Sequence, residues 1–238
     1  MSSDRYLAIV TARAGSKRLP GKNIRPLCGR PLFAWSVLAG LACPAIARVV
    51  VSTDSAEYQR IAIESGAECP WLRPASLAAD TTSSADVVKD VLDRLGDEVR
   101  QYRGLVLLQP TSPLRTADDI GGALALFETR AAPAVVSVSE AGCPPAWMGR
   151  LAESLVMDEF VPPQLRNLRD QKPEAWLRIN GAIYVIGVST FQREHGFMPL
   201  GTLGYLMPRE RSVDVDTGFD FTMAELLMAR GRPDHRIP

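Results

Sequence analysis

An α/β fold built on a mainly parallel sheet with helices on both faces is what this 238-residue chain predicts. Two observations carry that expectation. Four apolar, β-branched runs, Tyr6–Thr11, Arg48–Ser52, Gly104–Leu108 and Ala134–Val138, have the length and composition of buried strands. Between them lie segments with apolar residues at helical spacing, and such alternation joins parallel strands through crossover helices. Ligands of an open sheet of this kind gather outside the carboxyl ends of its strands.

Each helix has its own signals. Pro31–Cys43 opens with a proline at a first-turn position. Ser55–Gly66 starts on a capping serine, carries Glu57 in its first turn and stops at a glycine, while Ser84–Leu95 and Thr116–Thr129 carry apolar residues at helical spacing. Past Val138 the alternation breaks. Residues 139–180 hold Pro144, Pro145, Pro162, Pro163 and Pro173 among mixed charges and aromatics, too long a stretch for an ordinary connection. It reads as an insertion or oligomerisation arm within a single domain spanning 1–238. Ala182–Ile186, Thr202–Met207 and Ser212–Val215 then read as further strands, and Thr217–Arg230 as a closing amphipathic helix.

Composition narrows the class. Lys plus Arg and Asp plus Glu each total 27, so there is no global charge excess to bind nucleic acid or an anionic membrane. The absence of a signal-peptide pattern and of any run of about 18 apolar residues implies a cytoplasmic protein. Cys28, Cys43, Cys69 and Cys143 are too irregularly spaced for a zinc site and read as packing residues. With only His195 and His235 present, a serine-type triad is disfavoured, and charge placement must carry any chemistry.

That charge is concentrated just after the first strand. Residues 12–23, Ala-Arg-Ala-Gly-Ser-Lys-Arg-Leu-Pro-Gly-Lys-Asn, place Arg13, Lys17, Arg18 and Lys22 around two glycines, the composition of a phosphate cradle. Five residues separate Gly15 from Gly21 and Asn23 follows Lys22, so this is not a Walker A loop; nor is it a dinucleotide-type glycine run. After the second strand, Ser52-Thr53-Asp54-Ser55 suits a helix cap better than a ligand contact. After the third, Gln109 to Arg115 presents an amide, hydroxyls and a guanidinium fit to read a polyol or carboxylate. Asp214-Val215-Asp216 places two carboxylates on one side of an expected strand, a hard-oxygen pair suited to Mg²⁺ beside a polyphosphate. The polar connection from Arg73 to Ser84 is placed to read a nucleobase, although Ser83 or Ser84 also suits a helix cap.

These motifs together resemble the cytidylyltransferases that make CMP-sialic acid and its legionaminate and pseudaminate counterparts. The resemblance rests on residues 12–23, on Leu72-Arg73-Pro74 with Asp80-Thr81-Thr82-Ser83-Ser84, on Leu108 to Arg115, on Asn180-Gly181-Ala182-Ile183-Tyr184 and on Asp214-Val215-Asp216-Thr217. It implies a Rossmann-like, three-layer nucleotide-diphospho-sugar transferase fold with a dimerisation arm at 139–180. It further implies that Arg13, Ser16, Lys17, Lys22 and Asn23, with the amides of Ala14 and Gly15, hold the CTP phosphates, and that Arg73 and Ser84 read the nucleotide. Gln109, Asn180, Tyr184 and Phe197 would face the sugar acid, with Arg169 reaching the sugar carboxylate across a homodimer. Asp214 and Asp216 would hold Mg²⁺ or Mn²⁺; Arg13, Lys22 and Asp216 would serve catalysis.

The implied reaction joins CTP to a nine-carbon 2-keto sugar acid, releasing pyrophosphate, as a step towards cell-surface glycans. Two alternatives stay open on the residues alone: a glycosyltransferase using the Asp-x-Asp pair, and a non-catalytic nucleotide-binding module. The chain departs from the family in the arm. No lysine follows Pro144-Pro145 closely, and the stretch Leu168 to Pro173 is one residue longer. The identity of the sugar is therefore open.

Overall fold

A computed structural model of the chain describes residues 6–151, 153–157, 160 and 176–231. Its central feature is a six-stranded sheet. In chain order the strands are β1 (Tyr6–Thr11), β4 (Ile46–Ser52), β5 (Gly104–Leu108), β6 (Ala134–Glu140), β7 (Leu177–Gly187) and β8 (Leu203–Leu206). A separate small ladder pairs β2 (Pro26–Leu27) with β3 (Arg30–Pro31), antiparallel. The spatial order of the large sheet is β4-β1-β5-β7-β6-β8. β1 runs parallel to β4 and β5, and β6 parallel to β8, while β7 runs antiparallel to both β5 and β6. The expected mainly parallel sheet is therefore present, with one reversed strand near its middle.

Alternation along β1 shows how both faces are covered. Tyr6, Ala8 and Val10 share a buried cluster with Phe33 and Val37 of α1 (Leu32–Leu41), Tyr58 and Ala62 of α2 (Ala56–Glu64), and Ile120, Leu124 and Phe127 of α4 (Ala117–Thr129). Leu7 and Ile9 point the other way, onto Val88, Val91 and Leu95 of α3 (Ser84–Leu95) and Phe191 of α5 (Val188–Glu194). Each fully buried Leu, Ile or Phe in these layers contributes about 1.5–3 kcal/mol relative to exposure. The last helix, α6 (Gly218–Gly231), lies outside these layers. It buries Phe221, Ala224 and Met228 with Leu27, Leu32, Trp35 and Val215, while Phe219, Met223 and Leu226 stay exposed.

Local chemistry explains the boundaries. Ser55 caps α2 by accepting from the Tyr58 amide, and Ser83 and Thr116 form reciprocal capping boxes with Asp86 and Asp119 at α3 and α4. Pro31 is the residue before α1 rather than inside its first turn, because it is paired in the small ladder. Two expectations fail. Ser212–Val215 is not a strand; one backbone bond, from the Val215 amide to the Thr111 carbonyl at 2.8 Å, ties it to the sheet edge. The sheet also claims both ends of the expected 139–180 arm, since β6 continues to Glu140 and β7 begins at Leu177.

The β6–β7 ladder carries an irregularity that matters for the site. Val136 pairs with Tyr184 but Val138 with Ile179, so β7 bulges at Asn180–Ile183. Gly181 makes the bulge possible, with φ at +78°, a conformation other residues adopt only at a cost. Asn180 and Ser137 hold the bulge: Asn180 Oδ1 accepts from Ser137 Oγ at 2.6 Å and from the Ala182 amide at 3.1 Å, and Ser137 Oγ accepts from the Ile183 amide at 2.8 Å.

Candidate active site

A cleft of about 450 Å³ opens at the carboxyl ends of β1 and β5, where the fold places ligands. Arg13, Ser16, Lys17, Arg18, Lys22 and Asn23 line it from the cationic loop, and Arg73, Asp80, Ser83 and Ser84 from the polar connection. Gln109, Thr111 and Asp216 close its third side. The residues singled out for the nucleotide thus converge from segments far apart in sequence.

Gly21 shapes the end of the loop, with φ at +65°, turning the chain into the short 3-10 turn Lys22–Ile24. That turn draws Lys22 inward. Its residue is only 9% exposed, and its ammonium donates to Asp216 Oδ1 at 2.9 Å. Arg18 meets the other Asp216 oxygen at 2.8 Å. On the opposite side Arg13 Nη2 pairs with Asp80 Oδ1 at 2.7 Å, and Lys17 pairs with Asp80 Oδ2. Lys17 and Arg13 hold the Asp80 carboxyl below the usual carboxylate range. All four loop cations therefore rest on two carboxylates.

Asp54 has a different task. Its Oδ1 accepts from the Ala14 amide at 2.9 Å, fixing the loop backbone, and stands 3.7 Å from Arg73 Nη2, too far for a hydrogen bond. Of the amides at 14–17, Ala14 is thus engaged by Asp54 and Ser16 by the Ala14 carbonyl. Those of Gly15 and Lys17 have no hydrogen-bond partner among the described residues. From sequence, Asp54 is weighed as a helix cap against a ligand contact and Asp80 enters only as part of the motif Asp80 to Ser84, so neither receives a role in the site.

Arg73 is buried, and burial lowers its pKa despite the nearby Asp54. Its Nε and Nη2, and the Asn23 Oδ1, are buried without a hydrogen-bond partner. Two orphaned donors and an orphaned acceptor in cleft-lining residues are costly unless a ligand satisfies them. Ser83 provides the cap of α3, so Ser84 remains to line the cleft at that helix's amino-terminal end. Arg115, 3% exposed, donates to the Ala182 carbonyl at 2.6 Å and reaches the Gln109 carbonyl at 3.4 Å, which fixes Gln109 at the cleft wall.

The residues expected to face a sugar acid separate. Gln109 lines the cleft, but Asn180 is 2% exposed and committed to the β7 bulge and to Ser212 Oγ at 2.9 Å. Tyr184 and Phe197 pack together at 5.8 Å between ring centroids and do not line the cleft; Phe197 belongs to the core. Burial and the charge of Asp214 both raise the Tyr184 pKa, so the ring lies near that carboxylate. Arg169 falls outside the described residues.

Val215 is fully buried between Asp214 and Asp216, in a segment that forms no strand. The surrounding protein raises the Asp214 pKa, with Asp216 adding like-charge repulsion and a Thr111 hydrogen bond opposing it. Asp216 is steadied from behind, its amide donating to Asp220 Oδ2 at 3.1 Å, while Asp220 and Thr217 cap α6. Among the described residues no three acidic, histidine or cysteine side chains converge on one point. Asp216 lines the cleft and Asp214 does not, and carboxylates are the ligand type that suits Mg²⁺ where phosphate or water oxygens complete its shell.

Fold and site together define a nucleotidyltransferase. Residues 7–136 match the family model described as cytidylyltransferase, and the chain belongs to that family. It is 35% identical to the CMP-N,N'-diacetyllegionaminic acid synthase of Legionella pneumophila, over 94% of this chain and 96% of that protein. It is 34% identical to the N-acylneuraminate cytidylyltransferase of Escherichia coli, over 92% of this chain but 51% of that longer relative, and 26% identical to the pseudaminic acid cytidylyltransferase of Campylobacter jejuni, over 93% and 95%. In fold it is similar to a CMP:2-keto-3-deoxy-manno-octonic acid synthetase solved with CTP, with a TM-score of 0.70 at 17% identity over 95% of this chain and 99% of that one. These relationships do not support the glycosyltransferase alternative.

Proposed function

We propose that the chain transfers a cytidylyl group from CTP to the C2 hydroxyl of a nonulosonic acid of the sialic, legionaminic or pseudaminic type, releasing pyrophosphate. The convergence of the cationic loop with the buried, partly unpartnered Arg73 in one cleft carries this reading. A triphosphate satisfies the cations and the free amides of Gly15 and Lys17. A cytosine edge, with acceptors beside its amino donor, satisfies Arg73 and Asn23.

The chain's own residues supply orientation and charge. Lys22, Arg13 and Lys17 offset the negative charge that grows on the departing pyrophosphate, and Asp54 keeps the loop backbone in place while they do so. Gln109, held by Arg115 and Ser36, marks the wall where the acceptor acid approaches. Asp214 and Asp216 would hold Mg²⁺ or Mn²⁺, which supplies Lewis-acid stabilisation of phosphoryl oxygens when bound. We assign the exposed apolar side chains Trp147, Met148, Leu151 and Trp176 to a homodimer contact, with Arg169 serving the partner's site. A cytoplasmic location accords with the CTP substrate, and among the described residues no helix is long and apolar enough to cross a membrane.

Incubation with CTP, Mg²⁺ and a panel of nonulosonic acids, followed by pyrophosphate release, tests the assignment. Release with at least one acid, and far less with UTP or GTP, is expected. Tight CTP binding with no release for any acid would leave the non-catalytic alternative standing instead.

A further inference from the structure

Two carboxylates line the cleft, Asp80 and Asp216, and each spans a guanidinium and an ammonium of the loop, but Asp80 lacks the further anchor that Asp216 and the nearby aspartates have. Asp54 accepts from the Ala14 amide, Asp86 from the amide and hydroxyl of Ser83, and Asp216 is anchored through its own backbone to Asp220. Asp80 has no such structural task among the described residues. Its two oxygens are spent on two side-chain cations, Arg13 at 2.7 Å and Lys17. Both cations belong to the loop that the proposed function assigns to the triphosphate, and all three residues line the same cleft.

A carboxylate that spans a guanidinium and an ammonium offers them what a phosphate would offer: two anionic oxygens on one centre. Little else fixes the contact. The only other tie of the Arg13 side chain to this segment is Nη1 to the Ala78 carbonyl, at a long 3.4 Å. The Asp80 side chain is 38% exposed, and that of Lys17 is 80% exposed. Ion pairs so exposed are weak and exchange readily.

We propose that Asp80 is a positioning residue that holds Arg13 and Lys17 in place of a phosphate group and yields them when a polyphosphate enters. It keeps the loop cations splayed across the cleft between turnovers and competes with the product pyrophosphate for them, which hastens pyrophosphate departure. This rests on the reading of the cleft as a triphosphate site. It adds that affinity for any polyphosphate is held below what the cations alone would give, because the competent state is only fractionally free of Asp80.

The test uses calorimetric titration of the full chain with CTP, with inorganic tripolyphosphate and with pyrophosphate. Asp80→Asn should bind tripolyphosphate and pyrophosphate about 5- to 10-fold more tightly than wild type, the factor set by an Asp80-bound state populated about 80–90% of the time. Asp80→Glu, which keeps the charge, should stay near wild type. Asp93→Asn controls for loss of one negative charge, since Asp93 pairs with Lys89 on the exposed side of α3 and does not line the cleft. Its affinities should stay within about twofold, because exposed charges at a distance are screened. Unchanged or weaker polyphosphate binding by Asp80→Asn, with wild type binding normally, would overturn the proposal and make Asp80 a brace of the cradle. Equal tightening by Asp93→Asn would overturn it too, as a general charge effect. Failure of wild type and variant alike to bind CTP or either polyphosphate would overturn the triphosphate reading itself, and the role of Asp80 with it.

Discussion

Lys22 occupies a setting that its sequence context does not announce. Its place after Gly21 marked it as a phosphate ligand, but its stem is buried and its ammonium sits on Asp216. Replacement by alanine would therefore remove packing as well as charge. Lys22→Met keeps most of the stem, and we expect it to lower kcat/KM about 10²–10³-fold, equivalent to about 2–4 kcal/mol of transition-state stabilisation, with the melting temperature little changed. Steady-state kinetics beside a thermal melt checks both; near-normal rates would remove Lys22 from the mechanism. Asp216 is the natural second variant. Asp216→Asn should raise the Mg²⁺ concentration needed for half-maximal turnover or abolish turnover, whereas Cys28→Ser should leave that midpoint in place. An unchanged Mg²⁺ titration for Asp216→Asn would make the carboxylate a partner of Lys22 and Arg18 only.

At the scale of elements, what was legible followed from local chemistry. β1 and β5 are short apolar runs with sharp ends, Ser83 announces α3 by a cap that the structure shows in full, and α4 follows from its apolar spacing. The start of β7 was hidden because Leu177, Arg178 and Ile179 are exposed and the Asn180–Gly181 bulge breaks the pattern. Its reversed direction was hidden because apolar periodicity carries no strand polarity. The seven-residue α5 was too short to register. In the site, the cationic loop was legible as one contiguous segment. Its counterions were not, since Asp54, Asp80 and Asp216 reach it from other loops and only tertiary structure pairs them.

A similar clasp joins α4 to the aspartate pair. Asp119, 1% exposed, takes two bonds from Arg211, at 2.7 and 2.9 Å, just before the segment carrying Asp214. Burial pushes the Asp119 pKa up, but Arg211 and the Thr116 contacts outweigh it, and the net shift is downward. A depressed carboxylate contributes stability that is full above its unfolded pKa, about 3.9, and is lost as pH falls through the lower folded value. Asp119→Asn should cost about 2 kcal/mol at pH 7 by weakening charge-assisted bonds. Its melting temperature should also fall less steeply than that of wild type below about pH 4. Parallel acid slopes for the two proteins would show that the clasp contributes no pH-linked stability.

For the whole molecule the open question is what covers the segment between β6 and β7. Trp147, Met148, Leu151, Leu155, Val156, Met157 and Trp176, all from this segment, are exposed, and large apolar side chains left in water suit a protein contact. The proline content told the sequence reader that this is not an ordinary connection, but composition cannot say which surface receives it. A second copy of the chain is the partner that a symmetric, self-complementary contact requires least to assume. We expect a homodimer in sedimentation velocity, dissociated by Trp147→Asp, because a carboxylate buried without a partner is unfavourable in an apolar interface. If the arm also delivers Arg169 to the neighbouring site, Arg169→Ala should raise KM for the sugar acid while KM for CTP moves little, since the loop at 12–23 binds the triphosphate independently. Mixing Arg169→Ala with Lys22→Met then makes hybrid dimers in which one site carries both lesions and the other carries neither. With free exchange half of the dimers are hybrids, so activity should recover to about a quarter of wild type. No recovery despite demonstrated exchange would confine each active site to one subunit, and a wild-type monomer in sedimentation would remove the shared site altogether.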